Sequence, residues 1–110
     1  MKPDEVLSGL PGEDLIREGL ADVRRGTRTI AGLLVAIALP RLRRAGIQGA
    51  VTVDLEADSE LQIYRLLRLS PGDAYSRYNA LMRRLVAFEQ ALDCRLQRQL
   101  LDSLNANRVA

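Results

Sequence analysis

The stretch TIAGLLVAIALPRLRRAG, residues 29–46, contains a run of ten apolar residues, 30–39. A helix that is apolar on all sides is buried, so this run predicts a central helix over residues 29–39. A buried strand is the alternative, but the length of the run and its alanine content favour a helix. Pro40 removes one backbone hydrogen bond and must kink or end the helix. Gly32 and Ala36 lie one turn apart, so a neighbouring helix can approach closely there.

The segment before the central helix, EDLIREGLADVRR at residues 13–25, repeats its apolar residues at helical spacing. Its first turn is acidic and its last turn is basic, which complements the helix dipole. Gly26 is a natural end for this helix, and Gly46 closes the central helix one turn after the proline. Thr27 or Thr29 can cap the start of the central helix.

The segment after the central helix is less regular. AVTVDLE, residues 50–56, alternates as a strand does, but the chain offers no obvious partner strand, so we interpret it as a connection. Asp58 or Ser59 then caps a helix, SELQIYRLLRL. Its inward-facing residues are predicted to be Leu61, Ile63, Tyr64 and Leu67.

The tetrapeptide SPGD at residues 70–73 predicts the start of a long helix. Ser70 can cap it, Pro71 suits the first helical position, and Asp73 completes a pattern like a capping box. Neither proline nor glycine occurs after Gly72, so the helix is predicted to run from 71 to about 104. Thirty residues of helix span about 45 Å, so part of it should project beyond its own core.

The long helix carries one apolar stripe with charges on both flanks. Glu89 and Asp93 lie on one flank, one turn apart. The stripe is predicted to form core or interface through Tyr78, Leu81, Leu85, Phe88, Leu92 and Leu96, and Met82 and Leu100 widen it at its edge. The opposite flank, predicted to pair with acids or to bind phosphate, consists of Arg77, Arg84, Arg95 and Arg98.

These elements predict an all-α fold, a small helical bundle of four to five helices with a long amphipathic C-terminal helix. One domain is expected over residues 1–110. The segment 1–10 is expected to be mobile apart from a short helical turn near 3–9, and residues 105–110 are expected to fray.

Composition excludes several classes of chemistry. Cys94 is the single cysteine and the chain has no histidine, so an internal disulfide is excluded and a zinc site is not expected. Cys94 also lacks a neighbouring base to form a nucleophile pair. Glu89 and Asp93 resemble half of a di-metal carboxylate site, but such sites commonly add histidine. We therefore expect no enzyme activity, no metal and no cofactor.

The acidic run DLEADSE invites comparison with a calcium loop. Asp54, Glu56 and Asp58 alternate as the first ligands of an EF-hand do, but Ser59 stands where glycine is required. Arg65 stands where the bidentate glutamate belongs. A solvated connection ahead of a helix is the better interpretation.

The chain is expected to be soluble and cytoplasmic. Its first fifteen residues, MKPDEVLSGLPGEDL, lack the apolar core of a secretory signal. The apolar run of ten residues in the central helix is about half the length of a membrane span.

The function favoured by this pattern is that of a non-enzymatic interaction or regulatory protein, homodimeric through its C-terminal helix, with itself or another protein as partner. The alternative is nucleic-acid binding, in which the Arg flank contacts the phosphate backbone together with Arg41, Arg43, Arg44 and Arg83. A net charge of only +2 and the absence of a recognisable nucleic-acid-binding motif disfavour that alternative. The tyrosines are predicted to be core rings rather than base-stacking platforms.

Overall fold

Five helices make up the part of the chain that the computed structural model describes, residues 3–47 and 58–108. They are α1 (Pro3–Leu7), α2 (Glu13–Arg24), α3 (Ile30–Arg44), α4 (Ser59–Arg68) and α5 (Ala74–Arg108). No strand occurs in these two ranges, which confirms the all-α prediction. The predicted connection at 50–56 lies outside the described residues, and so do Asp54 and Glu56 of the acidic run.

Glycines end α2 and α3 as predicted. Gly26 and Gly46 adopt φ angles of 71° and 85°, in the left-handed region that glycine enters without strain. The amide of the next residue then donates to the carbonyl five residues back, at 2.9 Å for Thr27 and 3.0 Å for Ile47. This pattern satisfies carbonyls that the end of a helix leaves unpaired. The turns on either side of α3 are therefore determined locally.

The start of α3 is capped by Thr29, one of the two predicted candidates. Its hydroxyl accepts a hydrogen bond from the amide of Gly32 at 3.0 Å. The helix passes through Pro40, which is exposed, and ends one turn later at Arg44. The prediction that Pro40 is followed by one further turn is confirmed.

Asp22 ties the end of α2 to the start of α3. Its carboxylate is almost fully buried and accepts a hydrogen bond from the Thr29 hydroxyl at 2.7 Å. Arg25 donates a second hydrogen bond to the same carboxylate. These bonds, that of Thr29 first, favour the ionised form and lower the pKa of Asp22 below its ordinary value. Ionised Asp22 therefore stabilises the α2–α3 turn.

We expect Asp22→Asn to lower the thermal midpoint at neutral pH. A carboxyl whose pKa is lowered in the folded state contributes stability above its unfolded pKa and loses it as pH falls through the folded pKa. The difference between wild type and variant should therefore shrink in strong acid. Thermal melts at a series of pH values measure it. Asp102→Asn, an exposed site on α5, is the control; a pH-independent difference at Asp22 would contradict the assignment.

The packing of α2 against α3 depends on Gly19. A Cβ atom at this position would lie 2.2 Å from the carbonyl oxygen of Ala31, closer than any real contact. A Cβ atom at Gly32 would have its nearest neighbour at 3.3 Å, the hydroxyl of Thr29. The tight helix contact therefore lies at Gly19, whereas the sequence pointed to Gly32 and Ala36.

Helix α4 packs on both α3 and α5. Ile63 and Leu67 are buried and Tyr64 is half-buried, as predicted. Leu61 remains 46% exposed, so the prediction that it faces inward is wrong. Leu61 lies two residues before Ile63, which places it about 200° away around the helix.

Helix α5 begins three residues later than predicted. Gly72 has a φ angle of 113°, which is incompatible with a helix, and Asp73 caps the helix instead. Its carboxylate accepts hydrogen bonds from the amides of Tyr75 at 3.0 Å and Ser76 at 3.3 Å. The helix continues to Arg108, beyond the expected fraying at 105. Its 35 residues span about 52 Å of a molecule whose longest dimension is 59 Å.

The N-terminal segment packs against the other helices. Val6, Leu7 and Leu10 are buried against the other helices, in contrast to the expected mobile segment. The core also takes three residues from α5, which are Leu85, Phe88 and Leu92. One hydrophobic core thus joins the first and last helices of the described chain.

Candidate interaction surface on the C-terminal helix

The predicted apolar stripe of α5 packs on the chain's own core. Leu85, Phe88 and Leu92 are 4%, 0% and 0% exposed. The remaining three members, Tyr78, Leu81 and Leu96, are half-buried and pack against the same core. The sequence left core and interface open for these six residues. The structure places all of them where α1 to α4 cover the helix.

Tyr78 joins α5 to α4. Its ring contacts the ring of Tyr64 edge to face, with centroids 5.9 Å apart. Its hydroxyl lies 3.4 Å from a carboxylate oxygen of Glu60. Burial, and then the negative charge of Glu60, raise the pKa of Tyr78. Tyr75 is 65% exposed, so the prediction of a core ring is wrong for that residue.

The acidic flank of α5 binds an arginine of α3. The guanidinium of Arg41 contacts Glu89 through Nη1 at 2.8 Å and Asp93 through Nε at 3.2 Å. The hydrogen bond to Asp93 and the charge of Glu89 raise the pKa of Arg41. A cation from the chain itself therefore offsets part of the negative charge of the carboxylate pair. Its two residues act in packing α3 on α5.

The Arg flank is largely engaged within the molecule. Arg84 pairs with Asp14 of α2 at 3.3 Å, and both side chains are well exposed, so this pair adds little stability. Arg95 donates to the carbonyls of Val6 at 2.9 Å and Ser8 at 2.6 Å, holding α1 on α5. The structure gives the flank four partner residues, which lie 6 to 89 residues away in the chain.

The other two arginines of the flank lie near its ends. Arg77 donates to the carbonyl of Pro71 at 3.2 Å, within the turn before α5. Arg98 is exposed and makes no hydrogen bond or ion pair with the described residues. Of the arginines proposed to join them in a phosphate patch, Arg41 is held by acids, and Arg43, Arg44 and Arg83 are exposed.

The end of α5 extends beyond the core and exposes leucines. We define the overhang as residues 97–106, the part of α5 that follows the last stripe residue, Leu96. Leu100, Leu101 and Leu104 are 61%, 53% and 52% exposed. The sequence predicted that the helix projects and assigned Leu100 to the edge of the stripe. It did not single out Leu101, which lies on the far side of the helix from that stripe.

A second apolar face runs along α5 beside the core stripe. We call it the outer strip; it carries, in chain order, Asn79, Met82, Val86, Gln90, Asp93, Gln97, Leu100 and Leu104. Near its first half an open surface groove is lined by Asn79, Met82, Arg83, Val86, Ala87 and Gln90. Val86 is 48% exposed and Met82 is half-buried. The outer strip thus has two apolar parts, Met82 with Val86 and Leu100 with Leu104, and polar residues separate them.

Searches for other sites within the described ranges give few candidates. No three histidine, cysteine, aspartate or glutamate side chains there are grouped as metal ligands would be. Cys94 is a free, exposed thiol on α5. No helix in the same ranges has both the length and the hydropathy needed to cross a bilayer.

Comparison with known proteins gives no match: no family model, no curated protein and no solved structure is significantly similar to this chain.

Proposed function

We propose that this chain is a non-enzymatic interaction or regulatory protein that forms a homodimer through its C-terminal helix. The observation that carries the proposal is the overhang, where three leucines stay at least half exposed on a helix that extends past its own core. Large apolar residues gathered on one exposed surface are typical of protein–protein contacts. The proposed contact therefore uses the outer face and the end of α5, and the core stripe serves the fold.

The energetic requirement indicates how large the contact has to be. Burying the exposed half of one leucine contributes roughly 1 kcal/mol, so the three leucines of one overhang contribute about 3 kcal/mol. Association costs at least about 4 kcal/mol in lost translational and rotational freedom. Two overhangs alone would therefore give a weak dimer. A stable one draws further apolar surface from α5, and the outer strip offers Met82 and Val86.

The nucleic-acid alternative is less well supported by the contacts of the arginines. Arg84 and Arg95 direct their guanidinium groups to Asp14 and to backbone carbonyls of the chain itself. A phosphate would have to compete with these partners. Within the flank this leaves Arg98 without a partner among the described residues. Arg43, Arg44 and Arg83 are also exposed, and they add counterion release only where they face the same phosphate backbone as Arg98.

Size-exclusion chromatography with light scattering tests the proposal directly. A homodimer should have twice the chain mass of 12.2 kDa, at an absorbance ratio typical of protein. The chain has three tyrosines and no tryptophan, so bound nucleic acid would dominate the absorbance at the nucleobase band, which lies at shorter wavelength than the tyrosine band. A strong nucleotide signal that salt removes would support the alternative. A monomer at every concentration would overturn the homodimer.

The double variant Leu100→Asp, Leu104→Asp should dissociate the dimer. Each buried carboxylate would raise the dissociation constant by at least about tenfold per site, or about 100-fold together. Because both leucines lie outside the core, the thermal midpoint measured at low concentration should not fall. Sedimentation velocity across a dilution series measures the effect.

The matched control is Leu61→Asp, Leu69→Asp, which adds the same charges at leucines of α4 and its C-cap that are 46% and 82% exposed. It should remain dimeric. Equal loss of association in both double variants would mean that added negative charge acts nonspecifically, and the overhang would lose its assigned role.

A further inference from the structure

The apolar residues of the outer strip are arranged symmetrically about Asp93. Val86 and Leu100 each lie seven residues from Asp93, two helical turns before it and two after it. Met82 and Leu104 each lie eleven residues from it, three turns away on either side. The two halves of the strip are thus equivalent in spacing when the helix is read in opposite directions.

We propose that two copies of this chain pair through antiparallel α5 helices, with a two-fold axis at Asp93. Val86 of each copy then faces Leu100 of its partner, and Met82 faces Leu104. The inference rests on the proposed homodimer and adds the direction and register of the contact. An isologous two-fold contact of this kind buries the same face of both copies and closes the assembly.

Antiparallel pairing brings apolar surface together over most of α5. Val86, Leu100 and Leu104 are 48%, 61% and 52% exposed, and all three would be covered at once. Overhangs that met only each other would leave Val86 and the groove beside it uncovered. The full-length contact therefore comes closer to the roughly 800 Å² per partner that stable interfaces bury.

The helix dipoles favour the antiparallel direction over the parallel one. In an antiparallel pair the partly positive N-terminus of each α5 lies toward the partly negative C-terminus of its partner, whereas a parallel pair sets like ends side by side.

The polar centre of the strip specifies the register. At the axis the two Asp93 side chains lie near each other, and each already has Arg41 of its own chain at 3.2 Å. Arg41 is shared between Asp93 and Glu89, so it offsets part of the negative charge at the axis. Polar residues within an apolar helix seam penalise alignments that place them against apolar side chains. Slipping by one turn would set Leu100 against Gln90 of the partner, and slipping by two turns would set Asp93 against Leu100.

Disulfide cross-linking between mixed single-cysteine chains tests the register. In a Cys94→Ser background, a tagged Val86→Cys chain is mixed with an untagged Leu100→Cys chain under mild oxidation. Facing positions reach the Cα separation of a disulfide, and the others do not. The mixed product should therefore be the dominant one, in excess of each like-with-like product. Val86→Cys mixed with Leu69→Cys, a site away from α5, is the control and should give no mixed product.

The outcomes separate this proposal from the homodimer on which it rests. A dominant mixed product supports the antiparallel register. A dominant product between two Val86→Cys chains shows a parallel pair and overturns the register while the homodimer stands. A dimeric mass for the Cys94→Ser chain without any cross-link places the contact on another surface and also overturns it. A monomeric mass overturns both proposals.

Discussion

Replacing Gly19 with alanine is expected to destabilise the fold by about 3 kcal/mol, although alanine is the better helix former by about 1 kcal/mol. The new Cβ atom would lie 2.2 Å from the carbonyl oxygen of Ala31 and 2.5 Å from Cγ2 of Val35. Backbone does not move aside as a flexible side chain does. Helices α2 and α3 would have to separate, which would loosen the contact along their length.

Urea unfolding followed by far-ultraviolet circular dichroism measures this loss. The control is Gly32→Ala, a buried helical glycine of α3 whose Cβ atom would meet nothing closer than 3.3 Å. That variant should stay within about 1 kcal/mol of wild type, since better helix propensity offsets a mild contact. If the two variants unfold at the same urea concentration, the contact between α2 and α3 at Gly19 has room for a methyl group, and the prediction is wrong.

Local signals predicted the helix ends well. Gly26, Gly46 and Thr29 act where the sequence placed them, because each requirement is met by residues within one turn. The start of α5, three residues later than predicted, is also set locally, but by a residue other than the predicted cap Ser70. Asp73 and Ser70 both suit a cap, and the conformation of Gly72 decides between them.

Contacts between helices were harder to predict than helix ends. Gly19 and Gly32 look alike in the sequence, and which of them allows close approach depends on how α2 crosses α3. The same is true of Arg41, whose partners Glu89 and Asp93 lie 48 and 52 residues along the chain. Periodicity places side chains on a face, but it does not say which other helix covers that face.

In the candidate site, too, features set by local spacing were predictable, and features set by contacts between helices were not. The stripe of α5 was predictable from helical spacing, yet its assignment to core or interface required the positions of α1 to α4. Arg95 was predicted to pair with acids or to bind phosphate, whereas its partners are carbonyls of an N-terminal segment expected to be mobile. The overhang was predictable from length, since no single core of this size covers a helix of 35 residues.

Leu92→Asp is expected to abolish the folded state at ambient temperature. Leu92 is 0% exposed and lies in the core that joins α5 to the other helices. A carboxylate buried there without a partner costs more than about 4 kcal/mol, close to the whole stability of a domain this small. Circular dichroism should show loss of helix, and the tyrosine environment should become that of an unfolded chain.

Leu104→Asp provides the matched comparison, because it introduces the same charge on the same helix at a leucine that is 52% exposed. This variant should keep its helix content and thermal midpoint while associating more weakly. Comparing the two variants therefore distinguishes a leucine of α5 that holds the fold from a leucine that holds the dimer, which helical spacing alone does not do. A folded, monomeric Leu92→Asp chain would contradict the assignment, because Leu92 would then serve the interface and α5 would not be covered by α1 to α4.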